Sequence, residues 1–356
     1  IWLVEEVMFL AALCLWAYVR GQEPSIRGLE KFMDYGFMNS ALRGEFFPPK
    51  DMWLAGKSIN YYYFGHLTGA VLTRLSNIPA QISYNLILAT IFALGITEAF
   101  SFGLNIAYVG FKKNIKLALL TAILASFLLN FGGNLHTAYS FTEGYPNDKP
   151  VPIWELKPKY SVKDIAHPLK SFDKLAENYW YPNATRFIQY TIHEFPMYSY
   201  VVADLHGHVY DIPFVLLTLA LLWLFFEGST RKEEHIPDWL YVVLFGFMTA
   251  IHYMTNAFDA PIYLILTTIL FFVVFKFTRE FFIYMALLVG SFILFNLPFT
   301  LNFEPFATGV GINCAPAFLV AYKKIGPFLF EAGNCQISPW WMLVTLWGFF
   351  WFNFAF

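Results

Sequence analysis

The chain has 356 residues, and its composition is 58% hydrophobic, 21% aromatic and only 13% charged. An ordinary soluble core of this size cannot bury so much apolar surface, so the composition predicts a polytopic membrane protein. The formal net charge of -2 supplies no basic field, which argues against nucleic acid as a partner.

About nine apolar runs are suited to membrane-spanning helices. They lie at residues 1–19, 61–75, 82–109, 116–131, 209–226, 239–256, 259–276, 281–300 and 340–356. The expected fold is all-α, a polytopic membrane helix bundle. Because apolar runs occupy both ends of the sequence, we expect residues 1–356 to form a single transmembrane domain that is truncated at both ends.

Three stretches between these runs are too long to be simple connectors, namely 20–60, 132–208 and 301–339. We expect them to be long juxtamembrane loops. In the first, apolar side chains recur at helical spacing and charged ones occupy other positions, which predicts an interfacial amphipathic helix that ends before Pro48. The apolar positions are Leu29, Phe32, Met33, Phe37 and Leu42.

A run of three tyrosines, Tyr61, Tyr62 and Tyr63, closes this first loop and is followed by His66. Tyrosines at such a boundary keep their rings in the apolar zone and their hydroxyls in the wet zone. The run predicts a helix anchor at headgroup depth whose hydroxyls position a lipid headgroup.

The densest group of ionisable residues is Asp204-Leu205-His206-Gly207-His208, directly before an apolar run. Asp204, His206 and His208 have the chemistry of a metal site or of an acid/base pair. The alternative is a hydrogen-bonded belt at the membrane interface. His193 and Glu194 lie upstream and favour the functional reading, with Glu194 as a further candidate catalytic carboxylate and His193 as a substrate-binding residue.

Asp34 lies on the expected amphipathic helix, where a carboxylate could act as a general base at the lipid interface. Its position alone is more typical of a solvated residue on the polar face. Three cations, Arg186, Lys57 and His66, are candidates for binding a phosphate-bearing lipid. Snorkelling or charge pairing is the alternative for each of them.

Ionisable residues within apolar runs are costly in lipid and usually face a cavity or a neighbouring side chain. Asn256 and Asp259 lie between two such runs and are candidate substrate-binding residues, and Glu98 lies inside the run 82–109.

The predicted crossings conflict with a joint site of Asp34 and Asp204. Three candidate crossings separate the loop of Asp34 from that of Asp204, so a joint site requires one run not to cross or a further helix.

Motifs for nucleotide binding, zinc proteolysis and serine-esterase chemistry are missing from the sequence, so no cofactor is indicated beyond a possible divalent metal ion. The three cysteines have no metal-type spacing. Cys314 and Cys335 share one loop, where a disulfide is possible if that loop faces an oxidising compartment.

Several segments together resemble the YYY membrane protein family of bacteria and archaea. They are Gly28 to Asp34, Phe47 to Gly56, Ile59 to His66, Gly133 to Leu135, Arg186 to His208 and Asn256 to Tyr263. The resemblance implies a multi-pass protein of the cell membrane. His193, Gly207 and Phe258 stand where this family usually has Asn, Pro and Trp. A role of that Asn, or of a rigid His-Pro-His, is therefore not expected to carry over to this chain.

The YYY family in turn resembles the GT-C class of integral membrane glycosyltransferases, which take sugar from polyprenyl-phosphate donors. This resemblance implies a GT-C-like bundle in which Asp34 is the first-loop carboxylate. Asp34 would deprotonate an unknown acceptor, while Arg186 with His206 or His208, or a metal held by Asp204 and the histidines, would stabilise the departing phosphate. The alternative reading is a membrane transporter or lipid flippase with a polar substrate pathway, and a non-catalytic scaffold is a third.

Overall fold

The computed structural model describes residues 2–145, 149–159, 182–189, 191–231, 237–304, 309–326, 328–333 and 337–355. The structure is mostly helical, with 70% helix and 4% strand. In chain order the helices are α1 (Trp2–Gln22), α2 (Lys31–Arg43), α3 (Phe64–Ser76), α4 (Ala80–Gly110), α5 (Ile115–Phe131), α6 (Pro182–Thr185), α7 (Pro196–Val202), α8 (Gly207–Arg231), α9 (Asp238–Thr255), α10 (Asp259–Phe275), α11 (Arg279–Thr300), α12 (Ala317–Tyr322) and α13 (Trp340–Ala355). Two 3-10 helices cover Leu135–Phe141 and Ile153–Glu155.

Four helices of the described residues, α1, α4, α8 and α11, are long and apolar enough to cross a membrane. Helix α5 adds a fifth if it is counted together with the bent 3-10 helix that follows it. The sequence predicted about nine. The run 61–75 forms only the 13 residues of α3, which rise about 20 Å, less than the roughly 30 Å of a hydrocarbon core.

A small sheet corrects the all-α expectation. The strands are β1 (Val310–Asn313), β2 (Lys324–Ile325) and β3 (Phe328–Glu331), and they are ordered β1-β3-β2. Strand β1 pairs with β3 in parallel and β2 pairs with β3 antiparallel. The stretch 301–339 was expected to be a loop, and its alternation of short apolar segments with Gly and Pro was too weak to predict strands. Cys314 in this stretch is disulfide-bonded, and Cys335 lies outside the described residues.

The chain divides into two compact units, of which the first comprises residues 1–131 and 199–304 and the second residues 132–198 and 305–356. Within the second unit, the buried side chains of Tyr139, Phe187 and Leu346 form an aromatic-rich core. Within the first unit, the candidate span α4 packs against α1, α5 and α8.

Helices α1 and α4 of the first unit are joined by a buried polar contact and an aromatic stack. The guanidinium of Arg20 donates to Asn85 Oδ1 from Nε at 3.0 Å and from Nη2 at 2.8 Å. The Asn85 amide in turn donates to the Pro24 carbonyl at 3.0 Å, and the Trp16 and Phe92 rings stack at 4.5 Å. These contacts fix where the chain leaves α1 and enters the first loop.

Helix α3 presents a stripe of small and polar residues to the interior, namely Gly65, His66, Gly69, Ala70 and Thr73. The two glycines allow the Tyr210 ring of α8 to lie directly on the α3 backbone. A Cβ at Gly65 would lie 2.5 Å from Tyr210 Cβ, and one at Gly69 would lie 2.6 Å from the Tyr210 hydroxyl oxygen. Such a stripe is how helices approach closely in a membrane protein, and here it seats His66 against α8.

The close approach at Gly69 predicts that a larger residue there destabilises the protein and that a second substitution, at Tyr210, restores the stability. We expect Gly69→Ala to destabilise the protein by about 1–3 kcal/mol through overpacking. The obstructing atom is the Tyr210 hydroxyl, which has no hydrogen-bond partner among the described residues. The double variant Gly69→Ala/Tyr210→Phe should therefore recover most of the loss. Thermal unfolding in detergent measures both effects.

Two controls accompany this measurement. At Gly65 the obstruction is the Tyr210 Cβ and ring, so Tyr210→Phe should not rescue Gly65→Ala. At Gly290 an added Cβ meets no atom within 4 Å, so Gly290→Ala should not destabilise. Equal rescue at Gly65 and Gly69 would contradict the packing described here.

Candidate functional site

Asp34 lies on the buried face of α2. The helix turns Asp34, Phe37, Met38 and Ala41 toward the interior of the first unit, and the Asp34 side chain is 0% exposed. The expected helix is therefore confirmed, but its carboxylate is buried rather than solvated. A buried carboxylate is stable only where hydrogen bonds or opposite charges compensate for lost water.

The first compensating group is a second carboxyl group, that of Asp204. The Asp34 and Asp204 side chains are positioned to share a hydrogen bond. Asp34 Oδ2 and Asp204 Oδ1 are buried and receive no hydrogen bond from any other donor of the described residues. Since two carboxylates cannot donate to each other, this contact requires one of the two groups to carry a proton. Asp204 Oδ2 also accepts the backbone N–H of Glu30 at 3.4 Å, at the start of α2.

Burial and proximity hold a proton on this pair near neutral pH. Burial raises the pKa of the Asp34 carboxyl to about 6, while the His206 ring acts in the opposite direction. Burial, followed by the neighbouring charge of Asp34, raises the pKa of Asp204 to about 7. Shifts of this kind bring a carboxyl group into the range in which it accepts and releases protons at physiological pH.

Two histidines flank the pair. His66 Nε2 lies 3.0 Å from Asp34 Oδ1, and the two side chains are 1% and 0% exposed. His206 Nδ1 lies 2.9 Å from Glu30 Oε2 and 3.7 Å from Asp34 Oδ1. The Glu30 side chain is 60% exposed, so His206 connects the buried carboxyl pair to a carboxylate at the surface.

The tyrosine run contacts this cluster through hydroxyl groups. Tyr61 donates to the Tyr62 hydroxyl at 2.7 Å, and the Tyr61 oxygen lies 2.8 Å from His206 Nε2. Because Tyr61 gives its proton to Tyr62, His206 Nε2 must donate to Tyr61. Tyr63 instead packs against Phe299, with 5.4 Å between ring centroids.

A second polar network lies deeper along α8. His252 Nδ1 lies 2.9 Å from Asp211 Oδ2, and His252 Nε2 lies 2.9 Å from Thr218 Oγ1. Asp259 is hydrogen-bonded to Asp211 and accepts from the Asn256 amide at 2.8 Å. Asn256 and Asp259, expected as substrate-binding residues, therefore face protein neighbours, and their binding role stays a prediction.

The remaining predicted residues make the following contacts within their own units. Lys57 is exposed on the first loop. In the second unit, Arg186 donates to Thr185 Oγ1 at 2.6 Å and to the Tyr198 hydroxyl at 3.0 Å, and it lies 4.0 Å from Glu194. His193 in the same unit has its ring 5.9 Å from that of Trp347. Their roles as catalytic or substrate-binding residues stay predictions.

The metal site predicted at Asp204, His206 and His208 does not assemble from its three side chains. His208 Nε2 lies 3.1 Å from Ser199 Oγ, while His206 faces Glu30 and Tyr61. Within the described ranges, no group of three or more His, Cys, Asp or Glu side chains is arranged to hold a metal ion. The donor set does not fit the ion, so we derive no step through a metal.

Two residues of the cluster were not expected from the sequence. Glu30 lies four positions before Asp34, a spacing that places both on one helix face and that could have indicated it. Lys31 is a half-buried cation near Asp204, and burial lowers the pKa of its ammonium group. Tyr84 holds the backbone next to Asp204, because its hydroxyl accepts the Leu205 N–H at 3.2 Å.

Comparison with known proteins gives one match. A family model described as "Uncharacterized membrane protein (DUF2298)" matches residues 1–356. No curated protein and no solved structure matches the chain.

The shared proton predicts a pH-dependent stability. The unfolded carboxyl groups ionise at about pH 4, whereas the folded groups keep their protons up to their raised pKa values of about 6 and about 7, so within this interval the folded state binds more protons than the unfolded state. We therefore expect the unfolding temperature to fall between about pH 4 and about pH 7, corresponding to a loss on the order of 2 kcal/mol.

Asp204→Asn should flatten this dependence and raise the unfolding temperature at pH 8, because the like charge beside Asp34 is removed. Glu45, an exposed residue shortly after α2, provides the matched control. Glu45→Gln should keep the same change of unfolding temperature with pH as the unmodified protein. An unchanged slope in Asp204→Asn would contradict a shared proton.

Proposed function

We propose that this chain, which belongs to the DUF2298 family of uncharacterized membrane proteins, is an integral membrane glycosyltransferase with a polyprenyl-phosphate-linked sugar donor. The observation that carries the proposal is the buried, proton-sharing pair of Asp34 and Asp204, which lies outside the candidate spans and is flanked by His66 and His206. Such a pair supplies a base of near-neutral pKa beside the membrane surface. The resemblance to the GT-C class is a second, weaker support.

The proposed reaction joins an acceptor hydroxyl to the anomeric carbon of the sugar. The bond between that carbon and the donor phosphate oxygen breaks, and its electron pair leaves with the polyprenyl phosphate. The acceptor proton passes to the ionised member of the Asp34–Asp204 pair. A base with a pKa near the working pH accelerates such a transfer by about 10²- to 10⁴-fold.

His206 gives the accepted proton a way out. Asp34 is fully buried and cannot exchange with water directly, but His206 Nδ1 faces both Asp34 Oδ1 and the exposed Glu30 carboxylate. A proton moves from Asp34 to His206 and from His206 to Glu30, and Glu30 releases it to water. While the His206 ring carries this proton it is positively charged, which favours the departing phosphate.

The donor lipid has an apolar groove beside the tyrosine run. A cavity of ≈ 430 Å³ is lined by aromatic and aliphatic side chains that include Phe47, Tyr63, Phe64, Met254 and Phe299. Apolar walls of this kind suit an isoprenoid chain, and Tyr62 next to Tyr63 leads to His206. Lys31 supplies a cation near Asp204 for the phosphate.

The base assignment predicts a large loss in one variant. Asp34→Asn keeps the size of the side chain but cannot accept a proton, so we expect at least about a 10²-fold loss of sugar transfer to an acceptor mixture from polyprenyl-phosphate sugars. Transfer is measured with radiolabelled sugar donors and protein reconstituted in lipid. Glu45→Gln, a carboxyl-to-amide change at an exposed site, should retain activity, and full activity in Asp34→Asn would refute the assignment.

The proton route predicts a rescue. We expect His206→Ala to lose transfer by about 10²-fold and to regain a substantial part when imidazole is added, because the small base occupies the vacated ring position. Glu30→Gln should lower the rate mainly under weakly buffered conditions. An imidazole-insensitive loss would identify His206 as a packing residue and remove it from the route.

One observation favours a transporter as a second candidate. Asp211 and Thr218, on the candidate span α8, form a buried chain with His252. Titratable groups in a span are typical of proton-coupled transport. Flux of a polar lipid in liposomes without sugar donor, abolished by Asp211→Asn, would favour this candidate; transfer activity without flux would favour the glycosyltransferase.

A further inference from the structure

A second cavity of the first unit lies along the candidate spans, away from the carboxyl pair. It has a volume of ≈ 250 Å³ and lies between helices α4 and α8. Three residues of α4 line one wall, namely Glu98, Ser101 and Asn105. They are spaced three and four residues apart and so share one helix face. The facing wall is apolar and includes Leu217 and Trp223 of α8.

Glu98 is the unusual member of this cavity. It lies about 27 Å along α4 from its first residue, near the middle of a 31-residue helix. Glu98 Oε2 is buried and has no hydrogen-bond partner, and no cation of the described residues pairs with the side chain. A carboxyl group at this depth is costly in lipid and normally faces a partner or a cavity. Here Glu98 faces the cavity.

The lining defines the chemistry of a ligand. The carboxyl group calls for a positive charge, and the Ser101 and Asn105 side chains add hydrogen-bonding groups. Trp223 offers an aromatic ring, which is the best ring type for attracting a cation. Leu217 and Leu224 are 44% and 54% exposed, so the cavity opens at the outer surface of the spans, where molecules dissolved in the bilayer can enter.

We propose that the cavity lined by Glu98, Ser101, Asn105 and Trp223 binds a membrane-dissolved amphiphile with a primary ammonium group. The ammonium group pairs with the Glu98 carboxylate, and the alkyl chain lies along Leu217 and Leu224 toward the lipid. The site is separate from the proposed glycosyl transfer, and its occupancy does not depend on that activity.

A hydrophobic carbodiimide tests the site in the full chain reconstituted in lipid. The protonated Glu98 carboxyl adds its O–H across one C=N bond of dicyclohexylcarbodiimide, which attaches the reagent to the protein, and peptide mass spectrometry locates the adduct. We expect labelling of Glu98 without amine. Dodecylammonium should slow it at least about tenfold, a factor that corresponds to about 1.4 kcal/mol, whereas dodecanol should not.

Direct binding of radiolabelled dodecylammonium completes the test. Glu98→Gln removes the charge, and Ala220→Phe fills the cavity while keeping the carboxyl group, so both should weaken binding at least about tenfold. The exposed Glu45→Gln is the control. Absence of labelling, equal protection by dodecanol, or unchanged binding in either cavity variant would overturn the proposal.

Discussion

The structure of the first unit depends on how two carboxyl groups are kept together in a buried place. Asp34 and Asp204 are 170 residues apart in the sequence, and their contact joins the start of α2 to the segment that leads into α8. Two ionised carboxylates in such close contact would repel each other strongly, whereas a shared proton turns the repulsion into a hydrogen bond. Any helix arrangement that separates α2 from α8 breaks this bond and leaves buried acceptors without a donor.

Helix α3 makes that arrangement possible by being short. Its 13 residues do not reach across a hydrocarbon core, which leaves α4 as a candidate crossing, together with α5 if that helix is counted with the bent 3-10 helix after it. Two crossings between Asp34 and Asp204 are the arrangement that a joint site of these residues requires. The glycines of α3 then allow Tyr210 to pack against its backbone, and this places His66 within 3.0 Å of Asp34.

The sequence was informative where local patterns determine structure. The apolar periodicity around Phe37 predicted α2, and the polar groups at Asp34, His66, Asp204 and His206 were all recognised as candidates. It could not show which face of α2 is buried, because Phe32 on the expected apolar face is 62% exposed while Asp34 is fully buried. That outcome is decided by Asp204 and His66, which approach from distant parts of the chain. Glu30 was missed for the same reason, since only His206 distinguishes it from other exposed acids.

Two carboxyl pairs lie one after the other at the beginning of α8, and their surroundings separate their roles. Asp211 and its partner His252 are both 0% exposed, and Asp211 also lies within hydrogen-bonding reach of the half-buried Asp259, so these contacts join α8, α9 and α10. Asp34 and Asp204 have His206 as a neighbour, and His206 contacts the exposed Glu30. Proton exchange with water needs such a connection, because a carboxyl group enclosed by side chains cannot turn over its proton during a catalytic cycle. The connection, rather than the presence of paired acids, is what favours Asp34 and Asp204 as the centre of the proposed reaction.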